Sequence, residues 1–139
     1  MPATTIEIRY QYSVAQEVDL IDAVHHALVS AFKIPEYDCD IRLLVHEPHR
    51  FQCPPNKLYP EKFTLIRIDC FAGRTLDTKR NLYRSIVENL SVLGIPKDHI
   101  KILLREIPAE NWGICGGQAA CDVDLGFDIL EKATKDLGK

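Results

Sequence analysis

Apolar positions repeat with two different periods in the first third of the chain. Ile6, Ile8 and Tyr10 alternate with polar residues, as in a strand with one buried face. Ser13 and Gln16 then form a capping-box pattern, which is typical of the start of a helix. Apolar residues recur after it at helical spacing and predict one buried helix face: Val14, Val18, Ile21, Val24, Leu28 and Phe32.

The same order of elements returns 61 residues later. The segments "FKIPEYDCDIRLLVHE" and "LGIPKDHIKILLREIP" both place an Ile-Pro pair before an alternating strand, at Pro35 and at Pro96. The second copy begins with the strand "FTLIRIDCF". A helix follows that carries Leu82, Ile86, Leu90 and Leu93. The repeat therefore predicts two β-α-β units.

A β-α-β unit usually pairs its strands in parallel through a right-handed crossover, which leaves both helices on one face of a shared sheet. We therefore predict an α+β fold, a two-layer α/β sandwich of two helices on a four-stranded sheet. One domain would span residues 1–139. Its parts would be repeat one at about 2–47, a connecting loop at 48–62, repeat two at about 63–108, and a turn with a short strand in 109–139.

The loop and the last segment differ in composition from the repeats. The loop "PHRFQCPPNKLYPEK" holds four of the eight prolines, and we expect it to be ordered. The last segment contains a glycine-rich turn and an apolar stretch that we predict to be a strand at Val123, Leu125 and Phe127. Such an added strand often pairs with the sheet edge of a neighbouring subunit.

Charge and hydropathy exclude several classes of partner. The net charge is -3, and the chain lacks the clustered Lys and Arg residues that bind phosphate backbones. No apolar run approaches the roughly 18 residues needed to span a bilayer, and the start does not have the form of a signal peptide. We predict a cytoplasmic protein that binds neither nucleic acid nor a membrane.

Five cysteines are widely spaced and contain no C-x-x-C pair. We expect reduced thiols, several of them buried. His46, His49 and Cys53 have the spacing of metal ligands, but no convincing fourth ligand accompanies them. The sequence therefore predicts no metal and no cofactor.

Pro2 has a structural and a chemical interpretation. A strand may begin with proline where no ladder amide is needed. Alternatively, removal of Met1 makes the ring nitrogen a free secondary amine, which can act as a base. The matched position of the second copy is Phe63, so such a strand does not require proline, and the chemical interpretation gains weight.

Several motifs together resemble one enzyme family. They are Pro2, "FKIPEYD" ending in Asp38, "HEPHR", "AGR" ending in Arg74, and "NW" ending in Trp112. Over nearly the whole chain, they resemble the tautomerase superfamily, which has the fold of 4-oxalocrotonate tautomerase and macrophage migration inhibitory factor. Within it, the fused repeats are most similar to the malonate semialdehyde decarboxylase-like group. The resemblance implies a cofactor-free homotrimer.

The resemblance also implies roles for individual residues. Pro2 is the general base, Arg74 the strand-end arginine that binds the substrate carboxylate, and Asp38 the aspartate that assists decarboxylation. The decarboxylases have a second arginine two residues before the one matched by Arg74, where this chain has Ala72. By position alone, Arg74 is a solvated residue at a strand-helix junction and Asp38 a turn former, and both interpretations of Asp38 remain open.

Three further residues complete the predicted substrate site. Arg105 is the candidate to replace the missing arginine, while Trp112 and Phe71 are candidates for an apolar wall. The predicted activity is keto-enol tautomerisation of an enol or keto carboxylic acid. Weak decarboxylation or hydration of a 3-oxo or unsaturated acid is the enzymatic alternative. A ferredoxin-like or cytokine-like binding module without catalysis is the alternative of another class.

Overall fold

The computed structural model describes residues 2–126 of the chain. Two strand-helix-strand units follow one another, and a short hairpin comes after them. The elements are β1 (Ala3–Ile8), α1 (Val14–Phe32), β2 (Ile41–Val45), β3 (Thr64–Phe71), α2 (Leu76–Val92), β4 (Ile100–Ile107), β5 (Gly113–Ile114) and β6 (Gln118–Ala119). The predicted α+β sandwich is confirmed, and β3 begins 61 residues after β1, as the repeat predicts.

The four long strands form one mixed sheet in the order β2-β1-β3-β4. Within each unit the two strands pair directly and in parallel, while β1 and β3 pair antiparallel with Ile6 opposite Ile66. In a ferredoxin-like, split β-α-β order, another strand lies between the two strands of a unit. The observed order therefore excludes the ferredoxin-like alternative.

The core lies between the sheet and the two helices, which pack against each other. Ser13 caps α1 with both hydrogen bonds of the capping box, so the predicted helix start is confirmed. The predicted helix face is partly wrong, because Val14 is 79% exposed and Val18 is 50% exposed. The buried stripe runs through Leu20 and Ala27, and the two valines lie beside it in the first turns.

The connecting loop is ordered by short turns and by one arginine. Turns of 3-10 helix form at Pro48–Arg50 and Pro60–Lys62. The Arg9 guanidinium donates hydrogen bonds to the carbonyl oxygens of Pro48, at 3.2 Å, and of Pro60. These contacts attach both ends of the loop to the residue that follows β1.

Two predictions for the rest of the chain need correction. Residues 123–126 are not part of a strand, and Phe127 lies outside the described residues. The pairing in this segment occurs earlier, in the β5-β6 hairpin, because positive φ angles at Gly116 and Gly117 reverse the chain there. Of the five cysteines, all free, only Cys70 is buried, since the other four lie outside the sheet. No helix within residues 2–126 is long and apolar enough to cross a membrane.

Candidate active site

Pro2 lies at the end of the sheet where segments from both repeats meet. Ala3 is opposite Asp69 on β3, and Thr4 is opposite Ile41 on β2. Pro2 is one residue further out and buried, so it is level with Cys70 and with the residues that precede β2. The strand pairing thus places the start of β1 beside the segments that contain Asp38 and Arg74.

Arg74 occupies the turn between β3 and α2. It follows Gly73, whose φ of 126° is readily adopted by glycine and costs other residues strain. The side chain is buried, with 8% of the residue exposed, and its guanidinium carbon lies 4.0 Å from the ring centroid of Phe32. Arg74 is therefore not a solvated residue but a cation stacked on an aromatic ring, and its Nη1 lies 3.4 Å from the carbonyl oxygen of Phe71.

Helix α2 begins directly after the turn that contains Arg74. Thr75 caps the helix, and its hydroxyl accepts a hydrogen bond of 3.2 Å from the backbone N–H of Thr78. The macrodipole of α2 makes this end partly positive. An anion near Arg74 would therefore be favoured by the helix as well as by the guanidinium.

Phe71 and Trp112 form an apolar wall at this end of the sheet. Their ring centroids are 4.9 Å apart with an angle of 49° between the planes. The Trp112 indole N–H donates to the carbonyl oxygen of Ile107 at 3.1 Å, which fixes the ring at the end of β4. The structure thus brings together two of the three residues predicted from the sequence to bind substrate.

Asp38 lies in the turn that precedes β2. Its backbone N–H donates to the carbonyl oxygen of Pro35 at 3.1 Å, so the residue does take part in a turn. The side chain is half-buried, and its Oδ2 atom is inaccessible to solvent. Two residues later, the carbonyl oxygen of Asp40 accepts the N–H of Thr4 at 3.0 Å, which ties this turn to the strand that starts after Pro2.

Arg105 forms an ion pair with Asp69, the residue opposite it on β3. Its Nε and Nη2 atoms donate to the two carboxylate oxygens of Asp69 at 2.6 and 2.9 Å. The side chain is 67% exposed, and strand alternation places it on the sheet face opposite the helices. The hydrogen bonds with Asp69 raise the pKa of Arg105 above its usual value. A role for Arg105 in substrate binding stays a prediction.

The histidine candidates lie elsewhere. His46 Nε2 is 2.9 Å from a carboxylate oxygen of Glu7, and the other oxygen of Glu7 accepts from Arg67 at 2.9 Å. His49 is exposed in the connecting loop. Within residues 2–126, no three side chains among His, Cys, Asp and Glu are grouped to hold a metal ion.

Glu106 and Lys79 were not predicted from the sequence: Glu106 contacts the turn of Arg74, and Lys79 contacts Glu106. Glu106, on β4, accepts the backbone N–H of Gly73 at 3.2 Å and the ammonium of Lys79 at 2.5 Å. The hydrogen bond from Lys79 holds the pKa of Glu106 below its usual value, and the charge of Arg74 acts in the same direction. The signal in the sequence was a charged residue, Glu106, at the carboxyl end of the predicted strand "IKILLRE" and just before the "NW" motif.

Cys70 is a buried thiol beside the same turn. Burial raises its pKa, while the nearby charge of Arg74 opposes that shift. The thiol is therefore kept neutral, and it contributes apolar volume beneath Pro2 rather than a charge.

Comparison with known proteins identifies the family. Residues 38–115 match the sequence profile of the family described as "Tautomerase enzyme". The chain belongs to the tautomerase family. It is also 28% identical to the probable tautomerase YusQ of Bacillus subtilis (strain 168), over 86% of this chain and 97% of that protein.

Two solved structures share the fold of this chain. FG41 malonate semialdehyde decarboxylase, inhibited by 3-bromopropiolate, is 28% identical with a TM-score of 0.75, covering 84% of this chain and 92% of that one. The F6 fused 4-OT wild type asymmetric trimer is 26% identical with a TM-score of 0.71, covering 86% and 97%. The predicted relation to the malonate semialdehyde decarboxylase-like group is thus confirmed.

Proposed function

We propose that the protein is a cofactor-free enzyme that interconverts the enol and keto forms of a small carboxylic acid. Pro2, once Met1 has been removed, is the general base. Its nitrogen takes the proton from the enol oxygen, and the C–O bond becomes C=O. The π electron pair of the C=C bond takes a proton back from that nitrogen to form a C–H bond, which leaves a C–C single bond and the neutral amine. Arg74 binds the carboxylate of the substrate.

The burial of Arg74 carries this proposal. A guanidinium that is 8% exposed and stacked on Phe32 attracts an anion more strongly than one in water, because less solvent screens its charge. The amino-terminal end of α2 adds to the attraction. The wall formed by Phe71 and Trp112 suits the apolar remainder of the substrate.

The same surroundings suit Pro2 as a base. The proline ring holds the nitrogen in place, so no flexible side chain has to be ordered for the proton transfer. Burial and a neighbouring cation both disfavour a protonated amine. The neutral, basic form of Pro2 is therefore the one that these surroundings favour.

Decarboxylation of a 3-oxo acid is the second candidate, and Asp38 favours it. A half-buried carboxylate next to the start of β1 could polarise a carbonyl group or orient a water molecule. The similarity to FG41 malonate semialdehyde decarboxylase supports this candidate as well. Release of carbon dioxide from a 3-oxo acid, lost in Asp38→Asn, would establish it.

We also propose that the protein is a homotrimer. The F6 fused 4-OT, with which it shares its fold at 26% identity, is a trimer. Both helices pack on one face of the sheet, and the other face presents Leu44 and Leu103, each more than 40% exposed. Light scattering after size exclusion should give three times the mass of the chain.

The decisive experiment compares three forms of the amino terminus in ketonisation of phenylenolpyruvate. The native chain should lack Met1 in intact mass spectrometry. Pro2→Ala should lower kcat/KM by about 100-fold, as expected for loss of a general base. A chain with an uncleaved extension before Pro2 carries an amide nitrogen without a basic lone pair and should be as slow as Pro2→Ala.

A matched control separates chemistry from folding. Pro96→Ala changes the proline that precedes β4, at the other end of the sheet, and should retain the native rate. A retained Met1 in the active protein, or a native rate in the extended chain, would refute the role of Pro2.

A further inference from the structure

The turn that carries Arg74 is attached to the neighbouring strand by one carboxylate. Glu106 is on β4, directly opposite Cys70, and its Oε2 accepts the backbone N–H of Gly73 at 3.2 Å. Its Oε1 accepts the ammonium of Lys79, in the second turn of α2. One side chain therefore contacts both the backbone before Arg74 and the helix after it.

Gly73 is the residue that most needs such a contact. A glycine at φ 126° has no Cβ to restrict it, so the backbone around it has more accessible conformations than at other residues. A hydrogen bond to its N–H selects one of them. Arg74 is the next residue, and its position over the Phe32 ring depends on the direction in which this turn leaves β3.

The charge of Glu106 has an effect opposite to that of its hydrogen bond. A carboxylate near Arg74 weakens the attraction of the guanidinium for an anionic substrate. Lys79 reduces this effect, because its ammonium pairs with Glu106 and only 19% of its side chain is exposed. The two effects therefore predict changes of opposite sign in substrate affinity when Glu106 is removed.

We propose that Glu106 is a positioning residue, which fixes the turn at Gly73 and through it the carboxylate-binding position of Arg74. This inference rests on the proposed function of Arg74. Glu106 itself does not touch the substrate. Lys79 holds the carboxylate of Glu106 in the orientation that Gly73 requires.

Steady-state kinetics on phenylenolpyruvate test the proposal. Glu106→Ala should raise KM about tenfold and change kcat much less, because a displaced Arg74 weakens binding of the carboxylate. Glu106→Gln keeps an acceptor for the Gly73 N–H and should restore KM to within about threefold of the native value. Glu88→Ala, which removes an exposed carboxylate from the carboxyl-terminal part of α2, is the matched control and should leave both constants unchanged.

A double-mutant cycle tests the part played by Lys79. Lys79→Met should raise KM less than Glu106→Ala does, and the double variant should be no worse than Glu106→Ala alone. Additive effects would contradict a shared action. A lower KM in both Glu106→Ala and Glu106→Gln would overturn the proposal, because it would mean that the charge of Glu106 matters and its hydrogen bond does not.

Amide hydrogen exchange separates this inference from the proposed function. The Gly73 amide should exchange faster in Glu106→Ala and near the native rate in Glu106→Gln. If Arg74→Ala raises KM and Glu106→Ala changes neither KM nor exchange, only the positioning role fails. If Arg74→Ala leaves KM unchanged, the proposed function of Arg74 fails, and exchange at Gly73 still decides whether Glu106 holds the turn.

Discussion

The two ends of the sheet are built from the same backbone elements and carry different side chains. Because β1 and β3 are antiparallel, each end combines the start of one repeat with the strand-to-helix turn of the other. At one end lie Pro2 and the turn of Arg74. At the other end lie Phe63 and the turn between β1 and α1, which ends at the helix cap Ser13.

Residues that the 61-residue offset matches show how the side chains at the two ends of the sheet differ. Asp38 corresponds to His99, which is 1% exposed and accepts the backbone N–H of Tyr59 at 3.0 Å. The other ring nitrogen of His99 is 2.7 Å from Asp98 and is the protonated one, since Nε2 is an acceptor. At this end, polar side chains hold the connecting loop, whereas the Pro2 end has a buried cation, Arg74, stacked on Phe32. The same order of backbone elements therefore carries different side chains at its two ends.

The largest expected difference between the two ends is in activity, when Arg74→Ala is compared with Ser13→Ala, the variant at the matched position of the first repeat. Arg74→Ala should lower kcat/KM for phenylenolpyruvate by about 100-fold, because the carboxylate loses a charged hydrogen-bonding partner. Ser13→Ala should leave kcat/KM at the native value. Equal losses of activity in the two variants would contradict the division of roles between the ends.

His99→Ala should show the structural role of the other end. The variant removes the acceptor of the Tyr59 N–H and creates a cavity at a buried position. The free energy of unfolding should therefore fall by about 2 to 3 kcal/mol. The activity per folded molecule should be retained. Urea unfolding measures the first quantity and the ketonisation assay the second; a native midpoint would mean that the connecting loop does not depend on His99.

Ser13→Ala is expected to have a smaller effect on stability. The variant removes the oxygen that accepts the Gln16 N–H at 3.1 Å, which should cost about 1 kcal/mol of unfolding free energy. Thermal unfolding followed by circular dichroism is the measurement. Ser13→Asp, which preserves an acceptor at the cap, should unfold at nearly the native temperature.

The smallest expected effect is the pH dependence due to Glu106. Its folded pKa lies below the usual value of 4.5, so its contribution to stability is present above that value and is lost as the pH falls through the folded pKa. The charged groups that face it are Lys79 on α2 and Arg74 in the turn. The difference in unfolding free energy between the native chain and Glu106→Gln should be less than about 1 kcal/mol, because the pair is partly exposed.

Urea titrations should show this difference at about pH 6 and lose it as the pH falls through the folded pKa of Glu106. A difference that grows toward low pH would mean that folding raises the pKa of Glu106 instead of lowering it. Lys79→Met should reduce the pH dependence, since the hydrogen bond from Lys79 is the main cause of the lowered pKa.

The sequence predicted those parts of the fold that depend on neighbouring residues. The alternation in β1, the capping box at Ser13 and the 61-residue offset all follow from local patterns, and they were sufficient for the order of the elements. The register of β1 against β3 then brings Pro2 to the level of Cys70. The position of Pro2 beside the strand that leads into the Arg74 turn is thus a consequence of topology.

The missed features depend on contacts between distant residues. Glu106 and Gly73 are 33 positions apart, and nothing in either segment indicates their hydrogen bond before the β3-β4 register is known. The ion pair of Arg105 with Asp69, 36 positions away, was likewise not indicated by either segment, and the predicted role of Arg105 in substrate binding stays a prediction. Val14 and Val18 fitted the helical period, but periodicity does not reveal where the sheet ends.

Strand β1 has paired neighbours along both of its edges, β2 on one side and β3 on the other. The first residues of a domain usually fray, since little holds them in place. Here, release of the segment after Pro2 requires two ladders of hydrogen bonds to break together. Thr4 and Ile6 should therefore be among the slowest amides to exchange, with opening free energies near that of global unfolding. Pro2, the proposed base, therefore precedes a strand that should be as resistant to local opening as the core.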